Sequence, residues 1–308
     1  LPIAGFKNAT IKKVILPQNL KEIPDSLFYE SQLVTIEIPE AVRNIGKSAF
    51  ENCKKMTGEL VILQPGVSPY SLEISECAFR NCTFTKLIIK ANANGGGRII
   101  IGEKAFAQCQ FHSVEFEKGG SLEFRTSCFE NCDKLQGDLV IPRGVIRNYA
   151  FRGCSSLTGS LILGEEVRLE PYSSNEDVSY DAFNGCLFTG SLVIPKATKA
   201  IKANTFTSCQ FDVVQLHEDL EYIGQEAFKN CNIRELLIPS KVTFIGNGAF
   251  GNCINLENIY CMPLIPPTID YNSFPNIRHL YVHYGARERY AFSKWSGISD
   301  TIEETNFE

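Results

Sequence analysis

The segment IGNGAFGNC, residues 245–253, returns almost unchanged as IGQEAFKNC at 223–231 and IGKSAFENC at 45–53. A phrase that recurs at a steady interval marks a repeat architecture and decides the fold before any local reading does. Taking Phe as the register mark gives the column Phe6, Phe28, Phe50, Phe79, Phe106, Phe129, Phe151, Phe183, Phe206, Phe228 and Phe250. Successive members lie 22, 22, 29, 27, 23, 22, 32, 23, 22 and 22 residues apart. Three residues after the Phe stands Cys in nine units, from Cys53 to Cys253, with Ala9 and Ser31 in the first two. The residue before the Phe is small in most units, usually Ala, with Leu27 and Thr205 as exceptions.

Between the Cys and the next Phe comes a short alternating run, often closed by Pro: IEIP at 36–39, LVIP at 139–142 and 192–195, LLIP at 236–239. Such alternation reads as a strand with one face buried. The Pro has no N–H for the ladder and ends it. The Ile-Gly-x-x-Ala-Phe segment then turns the chain, Gly supplying backbone freedom. Phe fills the interior, while Ala and Cys let neighbouring turns approach. A unit this short cannot bury its own apolar face, and stacked copies share one continuous core. The pattern therefore predicts a repeat solenoid of the leucine-rich-repeat type. It is a right-handed coil with one short strand per unit of about 22 residues, about eleven units in all, closed by a C-terminal cap.

The solenoid is expected over 1–262 and the capping segment over 263–308. In the cap, Tyr281 and Val282 read as a last strand, Ala286 to Trp295 as a short helix, and Trp295 as the plug of the core. The first unit begins in its rear half, which leads us to expect a signal peptide or lipoprotein anchor upstream.

Composition narrows the functional classes. The chain is 44% hydrophobic with 21 Phe, enough for a large core. A net charge of −5 without long runs speaks against a nucleic-acid partner. No stretch approaches the roughly 20 apolar residues of a membrane span. Nine of the twelve Cys recur once per coil, and parallel side chains rarely supply the disulfide torsion. They read as buried free thiols acting as small hydrophobes; an isolated bridge from Cys77 or Cys128 stays open. Without Cys-x-x-Cys there is no zinc signature.

Candidate chemistry is sparse. His279 and His283 share one face of an extended segment, without an adjacent carboxylate in sequence. The run Asn94 to Arg98 is glycine-rich but lacks the Lys-Ser/Thr of a phosphate loop. Asn8 and Asn81 open formal glycosylation sequons. No catalytic residue, metal site or cofactor is assigned. The outward column of the strands reads Glu37, Val61, Ile88, Glu115, Val140, Ile162, Val193, Gln215, Leu237, Tyr260. Its apolar members Val140, Ile162, Val193, Leu237 and Tyr260 are the candidate ligand-binding stripe, against the plainer reading that branched residues suit any strand. The longest unit carries an acidic loop, Glu165, Glu166, Glu170, Glu176 and Asp177, a candidate cation or partner site, or simply a solvated loop.

The units Ile-Pro-x(n)-Val-x-x-Ile-Gly-x-x-Ala-Phe-x-x-Cys-x-x-Leu resemble the BspA-like leucine-rich repeats of bacterial surface proteins, over about residues 4 to 262. The tail LYVHYGARERYAFSKWSGISDTIEE, 280–304, is similar to the closing segment of such proteins in Bacteroides-type bacteria. The resemblance implies a non-enzymatic, secreted or cell-surface adhesion scaffold. It would bind an extracellular host or bacterial protein or glycan across its concave sheet. The alternative is a spacer or stalk that presents another module and has no ligand of its own.

Overall fold

The computed structural model describes residues 1–64, 71–91, 97–171, 179–270 and 272–307. It is a parallel β-solenoid of about twelve turns with almost no helix. The alternating runs form one row of parallel strands. Glu59–Leu63, Lys86–Lys90 and Ser113–Phe116 pair in register, so that Leu60, Leu87 and Val114 face the core while Val61, Ile88 and Glu115 share the opposite face. The row resumes in Leu139–Ile141 with Leu161–Leu163, then Thr189–Val193 with Gln210–Gln215. It ends in a four-stranded sheet of Glu235–Ile238, Asn258–Cys261, Ile277–His283 and Ser299–Thr305.

A second row accompanies it. Glu22–Ile23, Asn44–Ile45, Leu72–Ile74, Arg98–Ile101, Ser121–Phe124, Gly144–Ile146 and Val167–Leu169 form one seven-stranded parallel sheet. Ala200–Ile201, Tyr222–Ile223, Phe244–Ile245 and Thr268–Ile269 form a four-stranded one. Most coils thus carry two short strands where the sequence reading counts one. The reason is backbone accounting: an Ile that buries its side chain also buries its N–H and C=O, and the same residue of the next coil is the partner in reach. The gap between the two sheets follows Val167–Leu169, the second-row strand of the 32-residue unit between Phe151 and Phe183.

The Gly of Ile-Gly works through space rather than through dihedral freedom. Gly46, Gly224 and Gly246 are absent from the positive-φ residues. A Cβ on Gly246 would meet the Gln225 backbone nitrogen at 2.5 Å, and one on Gly224 would meet that of Ala203 at 2.7 Å. Left-handed backbone is found instead two residues before and two after the Phe: Ser48 and Asn52 around Phe50 (φ 53 and 61), Glu226 and Asn230 around Phe228 (φ 53 and 62). Asn tolerates this region better than most side chains. That accounts for the recurrent Asn before the Cys, the sequon residues Asn8 and Asn81 included. Asn81 is committed further, its side-chain amide donating to Asn52 Oδ1 at 2.7 Å.

Inside the coil the Phe rings stack one on the next. From Phe6–Phe28 to Phe228–Phe250 the ring centroids lie between 4.8 and 5.6 Å apart with planes within 17° of parallel. The column runs on to a twelfth ring, Phe274, 5.1 Å from Phe250. This turn lies in the segment read from sequence as a cap, because Asp270 stands for the Gly, Ser273 for the Ala and Ile277 for the Cys. Ser273 Oγ donates to the Gly246 carbonyl at 2.9 Å. Trp295, fully buried, tilts against Phe274 at 5.3 Å and donates from Nε1 to the Pro267 carbonyl at 2.8 Å, plugging the column end. Arg287–Ala291 is helical, and Lys294–Gly297 is a 3-10 turn.

The Cys column does more than save space. Cys53 Sγ donates to the Phe28 carbonyl of the preceding coil at 3.1 Å, Cys82 to Phe50 at 3.0 Å, and Cys132 to Phe106 at 3.1 Å. The relation continues to Cys253 and Phe228 at 3.2 Å. All twelve Cys are free and buried, Cys77 and Cys128 among them. Burial pushes the thiols of Cys109, Cys253 and Cys261 up to about 12.

Two stability predictions follow from this packing. Phe129→Ala should cost roughly 3–5 kcal/mol and Gly246→Ala about 1–3 kcal/mol in urea denaturation. Gly297→Ala, with nothing near its added Cβ, should be close to neutral; equal losses at the two glycines would contradict the close-approach account. The Cys109, Cys253 and Cys261 thiols also set a pH dependence. Their folded proton affinity is raised, so the stability they add is complete below the unfolded pKa of about 8.5 and is lost as pH climbs toward the folded value. The urea midpoint should therefore fall between about pH 8 and about pH 10, and Cys109→Ala should flatten that slope.

Candidate functional site

The first strand row presents its alternate residues to solvent. Val140, Ile162, Val193 and Leu237 are 44, 50, 53 and 46% exposed, high values for branched apolar side chains. Val140 and Ile162 are direct register neighbours. Val193 pairs with Gln215, which is itself exposed, and only beyond it does Leu237 pair with Tyr260. The five candidates therefore fall into a central group of Val140, Ile162 and Val193 and a C-terminal group of Leu237 and Tyr260. Val213, also exposed and paired with Ser191, lies diagonal to Val193 and widens the central group. It escapes the sequence pattern because it sits two residues before the column position.

Toward the N-terminus the same face is charged. Glu115 binds Lys86 at 3.1 Å and Glu117 binds Lys90 at 3.4 Å, and Ile88 between these lysines is almost covered. Toward the C-terminus it becomes aromatic. Tyr260 stacks on Tyr281 at 4.8 Å and 11°, and the His279 ring lies 6.0 Å from Tyr281. His279 Nδ1 is 3.0 Å from Thr301 Oγ1 and 3.2 Å from Glu303 Oε1. Desolvation by these neighbours, then the Glu303 carboxylate, raises the Tyr281 phenol. His283, the other member of the pair, turns its Nδ1 to the Tyr284 carbonyl at 3.1 Å. The two imidazoles thus take separate partners. Among the described residues no three His, Cys, Asp or Glu side chains gather as a metal site.

The acidic segment follows the second row. Glu166 pairs with Arg143 at 2.8 Å, and Glu170 with Arg147 and Arg168, each at 3.5 Å. Glu165 borders a shallow pocket with Arg143 and Arg168. Glu176 and Asp177 lie outside the described residues, as do Asn94 to Gly96 of the glycine-rich run. Since arginines already answer Glu166 and Glu170, the thermal midpoint should not move at millimolar calcium; a rise would show that 165–177 holds a cation.

One cavity that sequence reading did not signal lies at the C-terminal end, about 660 Å³ in volume. It sits between 240–243 and 262–268 of successive coils, with His283 and Phe307 at its side.

Two parallel strand rows, a stacked Phe column and one outward face define a leucine-rich-repeat β-solenoid. The family model of the BspA type leucine rich repeat region matches in six copies over residues 3–65, 70–169 and 176–298, and the chain belongs to that family. Among curated proteins none matches the chain significantly. It is similar to a solved leucine-rich repeat protein from Bacteroides ovatus, at 20% identity over 99% of this chain and 87% of that one, with a TM-score of 0.46. The pneumococcal vaccine antigen PcpA is 17% identical over 99% of this chain and 76% of that one, with a TM-score of 0.44. A leucine rich cell surface protein from Faecalibacterium prausnitzii is 18% identical over 90% of this chain and 80% of that one, with a TM-score of 0.32. Among the described residues no helix is long and apolar enough to cross a membrane.

Proposed function

We propose that the chain is a non-enzymatic recognition scaffold of the cell surface that binds an extracellular protein or glycan on the outward face of its first strand row. The observation that carries this is the exposure of Val140, Ile162 and Val193 on adjacent coils, with Val213 beside them. Isolated exposed apolar residues are ordinary, but contiguous ones mark interaction surfaces. A solenoid suits the task, since its repeats give an extended surface that tolerates substitution one coil at a time. Family membership supports the same reading.

The test is a binding screen of the chain against matrix proteins and a glycan array, run beside a Val140→Ser, Ile162→Ser, Val193→Ser triple variant. These side chains point away from the core, so the variant should melt as the parent does and lose at least tenfold in affinity for any partner found, about 1.4 kcal/mol. Unchanged binding would reject this face.

A further inference from the structure

The cavity at the C-terminal end has a wall held by side-chain hydrogen bonds. Its wall, Met262 to Pro267, contains three prolines and is clamped by three side chains. Tyr290 Oη donates to the Pro263 carbonyl at 2.8 Å, Arg289 to Leu264 at 3.1 Å, and Trp295 to Pro267 at 2.8 Å. The wall is therefore fixed before anything binds, which spares a ligand the cost of ordering it. Two of its apolar side chains nevertheless stand in solvent, Leu264 at 50% and Ile265 at 75% exposure. The volume falls in the range of ligand sites, about 300–1,000 Å³. No acid, lysine or arginine lines it; its polar groups are hydroxyls and the His283 imidazole.

His283 belongs to Ile277–His283, where alternation places it on the face that also carries His279 and Tyr281. One side chain bordering the cavity, His283, thus stands on the outward face of the first row. On the neighbouring strand Glu303 is in register with Tyr281. Of the acids on this face, Glu115 and Glu117 are answered by lysines, while Glu37, Glu59 and Glu235 show no ion pair among the described residues. Glu303 differs: among the described residues its ion-pair partner is the His279 imidazole, and its other contact is the Thr301 hydroxyl. An uncharged cavity bordered by His283, and on the same face a carboxylate that no lysine or arginine answers among the described residues, suit a ligand with two parts.

We propose that this end of the outward face is a docking site for an extended partner segment that seats an apolar side chain in the cavity and sets a basic residue against Glu303. The proposal rests on the recognition reading above and locates one anchor of it. A half-open groove with exposed apolar rims suits a side chain delivered by a larger partner, whose surface would cover Leu264 and Ile265. A free small molecule would leave them wet.

Methyl-labelled protein titrated with the peptides acetyl-Trp-Gly-Lys-amide and acetyl-Trp-Gly-Glu-amide tests it by NMR. Expected are saturable shifts at the Met262, Leu264 and Ile265 methyls, several-fold tighter for the Lys peptide, with the preference erased by Glu303→Gln. Absence of saturable shifts at these methyls overturns the site. Equal affinity for both peptides, unaltered in Glu303→Gln, overturns its charged half and returns the cavity to a generic apolar binder. The Val140, Ile162 and Val193 methyls report the central group in the same spectra. Shifts confined to them would leave the strand-face reading standing while removing the cavity.

Discussion

Successive coils can sit only as far apart as their strands allow, about 4.8 Å, and the molecule is organised by what fits into that spacing. Phe rings stack into it face to face, 4.8 to 5.6 Å apart along the column. The Phe N–H of one coil donates to the carbonyl of the residue before the Phe in the next, as from Phe50 to Ala78 and from Phe129 to Ala150, both at 2.7 Å, and that residue is small in most units. The thiol three residues on reaches back to the preceding Phe carbonyl. One tripartite phrase, Ala-Phe-x-x-Cys, thus supplies packing, a backbone ladder and a side-chain ladder at once.

That economy explains why the fold was so legible. Periodicity of Phe and Cys places each coil, and alternation in IEIP or LVIP places its first strand. The second row was harder to read. Two-residue strands such as Asn44–Ile45 are too short to alternate, and they exist because a neighbour of the same register is present. The Gly of Ile-Gly invites a dihedral explanation, whereas its role depends on the distance to another coil that the local sequence does not reveal. The twelfth turn was hidden because Asp270, Ser273 and Ile277 replace three of its signature residues while Phe274 keeps the ring column intact.

The outward face was legible in part. Strand alternation identified the outward column, and the exposure of Val140, Ile162, Val193 and Leu237 agrees with that assignment. How those residues group depends on register: Gln215 interrupts the stripe, and Val213 broadens it. The face also changes character along the axis, from Lys–Glu pairs through branched apolar residues to stacked Tyr and His. The C-terminal cavity depends on contacts between 262–267 and the helical turns after residue 286, more than twenty residues away. No local pattern announces it.

Continuity of the coil through Phe274 is the claim on which both the face and the cavity depend. Native-state hydrogen exchange tests it at single amides. The Phe250 N–H donates to the Ser273 carbonyl at 2.8 Å, as the Phe228 N–H does to Ala249 at 2.7 Å. Both amides should exchange only through global opening, with matching protection. Rapid exchange at Phe250 with full protection at Phe228 would contradict the account and end the stack one turn earlier.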